Sequence, residues 1–146
     1  MQKVAVVTDS IACLTKELVE QYGVKILPLS FYLSGKIYKD WVDITPSQAY
    51  ELFLKDPESF KSSTVSPGDC LEVYHQVSKQ TKDILFVTIS SKISAVYTAG
   101  QGAKELAKTE LPQVSIEVFD SQTVAAAEGF IALAAARAAA EGKSLA

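Results

Sequence analysis

The 146 residues include a single histidine, two cysteines and no cluster of basic residues. Each scarcity excludes something. Cys13 and Cys70 lie far apart, with neither CxxC nor metal-type spacing, so they announce no redox dithiol and no zinc site. The N-terminus opens directly on a strand-like segment with no signal peptide, and with the sparse cysteines this points to a reducing, cytoplasmic setting. His75 falls inside a predicted helix, away from the loops that follow strands, where a Ser-His-Asp triad has no use for it. The 14 Lys and Arg are scattered among 17 Asp and Glu for a net charge of −3, which argues against nucleic acid or an anionic membrane as the main partner. Neither GxGxxG nor GxxxxGK[ST] occurs, so the usual dinucleotide and nucleoside-triphosphate fingerprints are missing and no cofactor is expected. The most apolar stretch, Val124 to Ala140, is interrupted by Glu128 and Arg137 and owes its hydropathy to alanine, which suits a buried helix and not a membrane span.

What is present is an alternation of two patterns. Val4 to Val7, Val24 to Leu33 with a break at Pro28, and Ile84 to Ile89 read as strands, as does Val114 to Phe119. Leu14 to Tyr22 shows helical spacing and stops at Gly23, and Ser34-Gly35 offers a turn into Lys36 to Tyr38 for a small hairpin-like excursion. Thr45-Pro46 with Gln48, and Ser66-Pro67-Gly68-Asp69, open two helices, because the hydroxyl caps, proline is tolerated at the first helical position and the third residue reaches back. These helices run to about Lys55 and Lys79, with Lys61 to Val65 a short extended stretch before the second. A fourth helix follows Ser94 as far as about Lys108, and the alanine-rich helix closes the chain. Strands alternating with helices through short loops imply an α/β fold, a three-layer parallel sheet with helices on both faces. A domain of this size buries roughly 70% of the surface its unfolded chain exposes, enough for one core. The expected domain is 1–142. Residues 143–146, Lys143-Ser144-Leu145-Ala146, read as the opening of a further element, as though the chain were cut from a longer protein.

In a parallel sheet the loops after the strands gather along one edge, which is where ligands bind in open α/β sheets. Here that mouth collects Thr8, Asp9 and Ser10, then Ser90, Ser91 and Ser94, then Asp120 and Ser121, with Ser62 and Ser63 as candidates to join them. It is rich in hydroxyls and poor in strong acids, bases and metal ligands. Hydroxyls beside free N–H groups at a helix N-terminus suit a small anion. Ser94, with the N–H groups of Ala95 and Val96 behind it, is the best candidate, and the plain alternative is that Ser94 caps its helix. Asp9 and Asp120 are candidate cation ligands, but each also suits fixing its own loop by accepting backbone N–H bonds, and that structural role is the expectation. Core packing is expected of both cysteines. A rival of another class is a small phosphatase or hydrolase with Asp9 as nucleophile and phosphate bound at the Ser90 to Ser94 loop.

Taken together, VTDS up to Ser10, DITP at Asp43 to Pro46, SPG at Ser66 to Gly68, TISSKIS at Thr88 to Ser94 with Tyr97 after it, FDS at Phe119 to Ser121 and the closing EGKSL occur in the order and spacing of the DegV family. The sequence resembles that family over essentially its whole length. The resemblance implies a Rossmann-like N-terminal domain of a bacterial fatty-acid-binding protein about twice as long. It implies a long-chain fatty acid as ligand, a fatty acid kinase as partner, and a carrier that is not itself an enzyme. In the family the acyl chain lies in an apolar tunnel and its carboxylate is held by hydroxyls. Carried over position by position, those donors fall on Ser62 and Ser94, with the amide of Ala95 at the following helix. The sequence departs from the family pattern in three places: Thr64-Val65 replaces Gln-Pro, Ala95 stands where glycine commonly follows the key serine, and Trp41 replaces a frequent glycine.

Overall fold

The structure is a computed structural model that describes residues 4–145. Ala146, and with it the last position of the 143–146 segment, lies outside the described residues. The first strand, β1 (Val4–Asp9), turns Val4 and Val6 to one side and Ala5 and Val7 to the other, and both sides are covered. It is flanked by β2 (Lys25–Leu27) and β6 (Asp83–Thr88), and β6 by β7 (Ser115–Asp120), all parallel, in the order β2-β1-β6-β7. Helices α3 (Pro67–Ser78) and α4 (Val96–Glu110) close over Val7, Ile84, Phe86, Ile116 and Val118. On the opposite face α1 (Lys16–Tyr22) and α5 (Ala126–Ala140) close over Val4, Val6 and Leu85. Such near-continuous apolar strands are what a parallel sheet buried on both sides requires. The three-layer α/β expectation is met.

A second sheet was not expected. β3 (Ser30–Leu33) pairs antiparallel with β4 (Lys36–Lys39), the predicted hairpin, and on its other edge with β5 (Lys61–Ser63), in the order β4-β3-β5. The segment read only as an extended approach to α3 is thus a paired strand. Helix α2 (Pro46–Lys55) covers Phe31, Leu33 and Ile44, and the Phe60 ring lies tilted 5.7 Å from that of Phe31 and edge-on 5.6 Å from that of Phe53.

The helix openings follow the sequence closely. Thr45 and Gln48, and Ser66 and Asp69, form reciprocal capping boxes with proline in the first turn. The first helix starts later than its apolar spacing suggests. Thr15 caps it by accepting the Leu18 N–H at 3.4 Å, and residues 10–12 form a separate turn of 3-10 helix. Helix α5 has no side-chain cap, and Ala125 before it holds φ 57° and ψ −136°.

Candidate functional site

The parallel register brings the strand-end loops to one edge. Thr8 lies opposite Val87, and Thr88 opposite Asp120. The Asp9 carboxylate leaves the end of β1 and accepts N–H bonds from Ile11 at 3.1 Å and Ile89 at 2.9 Å, tying β1 to the end of β6. Asp120 leaves the end of β7 and accepts the Ser91 N–H at 3.1 Å, the Ser91 hydroxyl and the Gln122 N–H at 2.9 Å. The Ser121 hydroxyl accepts the Thr123 N–H, and the Ser90 N–H donates to the Thr123 carbonyl at 2.9 Å. The hydrogen bonds of Ser91 hold the Asp120 carboxyl below the usual carboxylate range. The two aspartates therefore fix their loops, each with its own set of donors. Among the described residues no group of three or more His, Cys, Asp or Glu side chains is placed to hold a metal ion.

Several residues read as open at the mouth lie beneath it. Thr8 and Asp9 are fully buried, and Ser10, Ser90 and Ser121 nearly so. The reason is the hydrogen bonding just described together with an acid from the opposite layer, Glu128 in the first turn of α5. Glu128 is fully buried; its Oε1 accepts the Thr8 hydroxyl at 3.1 Å and its carboxyl lies beside that of Asp9. Burial first, and then the Asp9 charge, push the Glu128 carboxyl up to about 9. At Asp9 burial pushes up against the pull of the Ile89 N–H, Glu128 and the Ile11 N–H. An aspartate buried in this way, with both oxygens taken by backbone donors, is not presented to a phosphate ester. In the sequence Glu128 stands out only as an interruption of an apolar run. A lone carboxylate in an alanine-rich helix that must pack on a sheet was the signal that could have found it.

Ser94 and Ala95 sit where β6 hands over to α4. The helix begins at Val96, with Ala95 at its cap position and no capping side chain. The Ser94 hydroxyl accepts the Val96 N–H at 3.4 Å, so that amide is engaged within the loop and is not free beside it. The hydroxyl keeps its own proton to give, since one such group donates once and accepts twice. Ser94 is half-buried, Ala95 is exposed, and the Ala95 N–H makes no hydrogen bond among the described residues. Ala95 has φ −83°, an ordinary value that makes no demand for glycine. Ser62 and Ser63 stand on the second sheet, exposed, with Ser62 opposite Phe31 and the Ser63 hydroxyl donating to the Thr64 carbonyl.

A groove of about 1040 Å³ runs between the 3-10 turn with α1 and the segment leading into α2. It is lined in part by Ser10, Leu14, Val19, Trp41 and Ile44, but by neither Ser62 nor Ser94. Trp41 reaches it from a backbone at φ 68°, left-handed geometry that explains why glycine suits that position. Cys70 packs in the core, its thiol pushed up to about 12 by burial. Cys13 does not; it is exposed on the groove, because the chain leaves the 3-10 turn there at φ 52°. Burial and the surrounding carboxylates of Glu128, Asp40 and Asp9 push its thiol up as well. Asp40, which the sequence did not single out, is half-buried and hydrogen-bonds to the Ser10 hydroxyl. His75 lies on the surface beside Glu110, Nε2 to Oε2 2.8 Å. Among the described residues no helix is long and apolar enough to cross a membrane.

The family model described as "Uncharacterised protein, DegV family" matches residues 3–146. A DegV domain-containing protein of Clostridium perfringens is 37% identical over 140 residues, covering 96% of this chain and 49% of the relative. One from Caldanaerobacter subterraneus is 33% identical over 144 residues, covering 99% and 50%. The chain spans about half the length of the curated relatives it matches. Among solved structures, a DegV family protein from Thermus thermophilus described for its fatty acid binding superposes with a TM-score of 0.84 at 31% identity, over 98% of this chain and 49% of its own. A stearic acid-binding protein from Eubacterium ventriosum superposes with a TM-score of 0.88 at 29% identity, over 97% and 49%. DegV from Bacillus subtilis, a fatty acid binding protein, superposes with a TM-score of 0.84 at 28% identity, over 97% and 49%.

Proposed function

Because the chain belongs to the DegV family, we propose that it binds the carboxylate of a long-chain fatty acid, as a carrier that presents the acid to a separate fatty acid kinase. The observation that carries this reading is the turn before α4. There a half-buried serine hydroxyl with its proton unspent stands beside the free N–H of Ala95, at the positive end of a helix of 15 residues. A carboxylate takes a hydroxyl proton and an amide proton readily, and the helix dipole adds to both. Ser62 is the second hydroxyl in this proposal, contributed from β5. The acyl chain requires an apolar slot, and the fatty-acid-binding solved relatives share this fold.

A carrier reading is also favoured over the hydrolase by what the edge lacks. Asp9 is sequestered beneath it, His75 lies on the surface against Glu110, and the sequence carries no glycine-rich phosphate loop of the GxxxxGK[ST] kind. Native mass spectrometry of the freshly purified protein, followed by denaturation and identification of released lipid, is the first test. A bound fatty acid supports the proposal; turnover of a phosphate ester that Asp9→Asn abolishes overturns it. Ser94→Ala removes one charge-assisted hydrogen bond, so palmitate affinity is expected to fall about tenfold or more, read by titration calorimetry. Unchanged affinity removes Ser94 from the site.

A further inference from the structure

Asp9 and Glu128 are both fully buried, and none of the ion pairs among the described residues includes either of them. Their hydrogen bonds constrain where protons sit. Both Asp9 oxygens accept backbone N–H groups, which can only donate, so Asp9 offers lone pairs to whatever else approaches. Glu128 Oε1 accepts the Thr8 hydroxyl, while Oε2 is buried with no donor in reach. A bare acceptor facing a carboxylate in the interior is costly, and a proton on Oε2 turns that contact into a hydrogen bond to Asp9. Among the described residues, the titratable groups that interact with the pair are all acids. Cys13 faces it from beyond the 3-10 turn, Asp40 lies behind Cys13 and Ser10, and Cys70 of α3 faces Asp9 from the other layer. On α5 itself the charged neighbour is Arg137, and it is engaged with Tyr22 of α1.

We infer that Glu128 is a positioning residue: carrying the one proton that it shares with Asp9, it locks the first turn of α5 to the ends of β1 and β6 and so sets the edge on which Ser94 stands. The linkage is short. Glu128 holds Asp9, Asp9 holds the Ile89 N–H, and the next carbonyl, that of Ser90, accepts the N–H groups of Ile93 at 2.9 Å and Ser94 at 3.0 Å. Loss of the proton puts two like charges side by side in the interior, with neither of them ion-paired among the described residues, and the pair must part.

The effect on ligand binding rests on the carrier reading; the shared proton does not. Carbon-13 labelling of glutamate lets the Glu128 carboxyl resonance be followed against pH in the purified protein. It is expected to show no step in the ordinary carboxylate range and one near pH 9, and a step near 4.5 overturns the inference. Palmitate affinity of the wild type is expected to fall about tenfold between pH 8 and pH 10, whereas Glu128→Gln, which keeps an acceptor for Thr8 and a donor for Asp9, stays level. An equal fall in both proteins overturns the positioning role. Absence of palmitate binding at every pH defeats the carrier reading instead, and the carboxyl resonance still decides the shared proton. The resonance is read on the wild type, so it decides even where Glu128→Gln fails to fold.

Discussion

Ala125 holds φ 57° and ψ −136°, a combination that only glycine adopts freely, and from it the carbonyl accepts the Gly129 N–H at 3.1 Å to open α5. A side chain held there costs about 1–3 kcal/mol, part of which glycine gives back in unfolded-state freedom. Ala125→Gly is therefore expected to stabilise the protein by about 1 kcal/mol, seen as a higher urea midpoint. A lower midpoint shows the strain to be absent. Trp41 and Ala95 are instructive beside it. Both stand where the family resemblance marks glycine, but only Trp41, at φ 68°, occupies a backbone that calls for one; Ala95, at φ −83°, does not. A family glycine legible in sequence does not say whether backbone geometry or side-chain space put it there. The backbone angle separates the two.

At the scale of elements, α2 and α5 stand at opposite ends of legibility. Helix α2 announces itself through Thr45, Pro46 and Gln48, and the structure realises that box with the Gln48 side chain accepting the Thr45 N–H at 3.0 Å. Thr45→Ala is expected to cost about 1 kcal/mol, read from thermal unfolding, because one helix-terminal N–H then loses its partner inside the fold. Helix α5 has no such opening and is held by contact. A Cβ at Gly129 would collide with the Ala12 carbonyl oxygen and come within 3.1 Å of Leu14 Cδ2, whereas one at Gly68 meets only Ser66 Oγ at 3.5 Å. Gly129→Ala is expected to destabilise by about 3 kcal/mol in urea titration, against the gain that alanine brings to an open helix position. Gly68→Ala, at an open position of α3, is the control and is expected to gain up to about 1 kcal/mol. A stabilised Gly129→Ala contradicts the close packing of α5 on the turn that carries Asp9.

Over the whole molecule, fully buried acids and those half-buried at loop and helix openings bend the stability curve in opposite directions. Glu128, at about 9 against a usual 4.5, keeps a proton in the folded state that the unfolded chain releases. Its contribution is fully present below pH 4.5 and is lost as pH rises through about 9. Cys70, raised from 9.0 to about 12 by burial, adds the same sign at more alkaline pH. Asp69, lowered by its hydrogen bonds to Ser66, and Asp120, lowered by Ser91, contribute above the usual 3.8 and lose that contribution as pH falls through their depressed values. The thermal midpoint is therefore expected to peak at mildly acidic pH and to decline steadily from there towards pH 9. Glu128→Gln should flatten that alkaline decline and leave the acid limb unchanged, which differential scanning calorimetry across pH checks.

The sequence by itself determined what depends on near neighbours: the apolar strands, the capped openings of α2 and α3, the stop at Gly23, and the gathering of hydroxyls and aspartates at one sheet edge. Each of these rests on spacings of a few residues, where periodicity and capping chemistry act. Only the tertiary structure decided what depends on residues far apart. Ser62 pairs with Phe31 because β5 adds to an antiparallel sheet across more than a helix of intervening chain. Thr8 and Asp9 are buried because Glu128 arrives above them from the other end of the chain, so they support the edge instead of opening on it. Burial decides whether a carboxylate is a ligand, a loop fastener or a proton store, and burial is a property of packing that no local pattern contains.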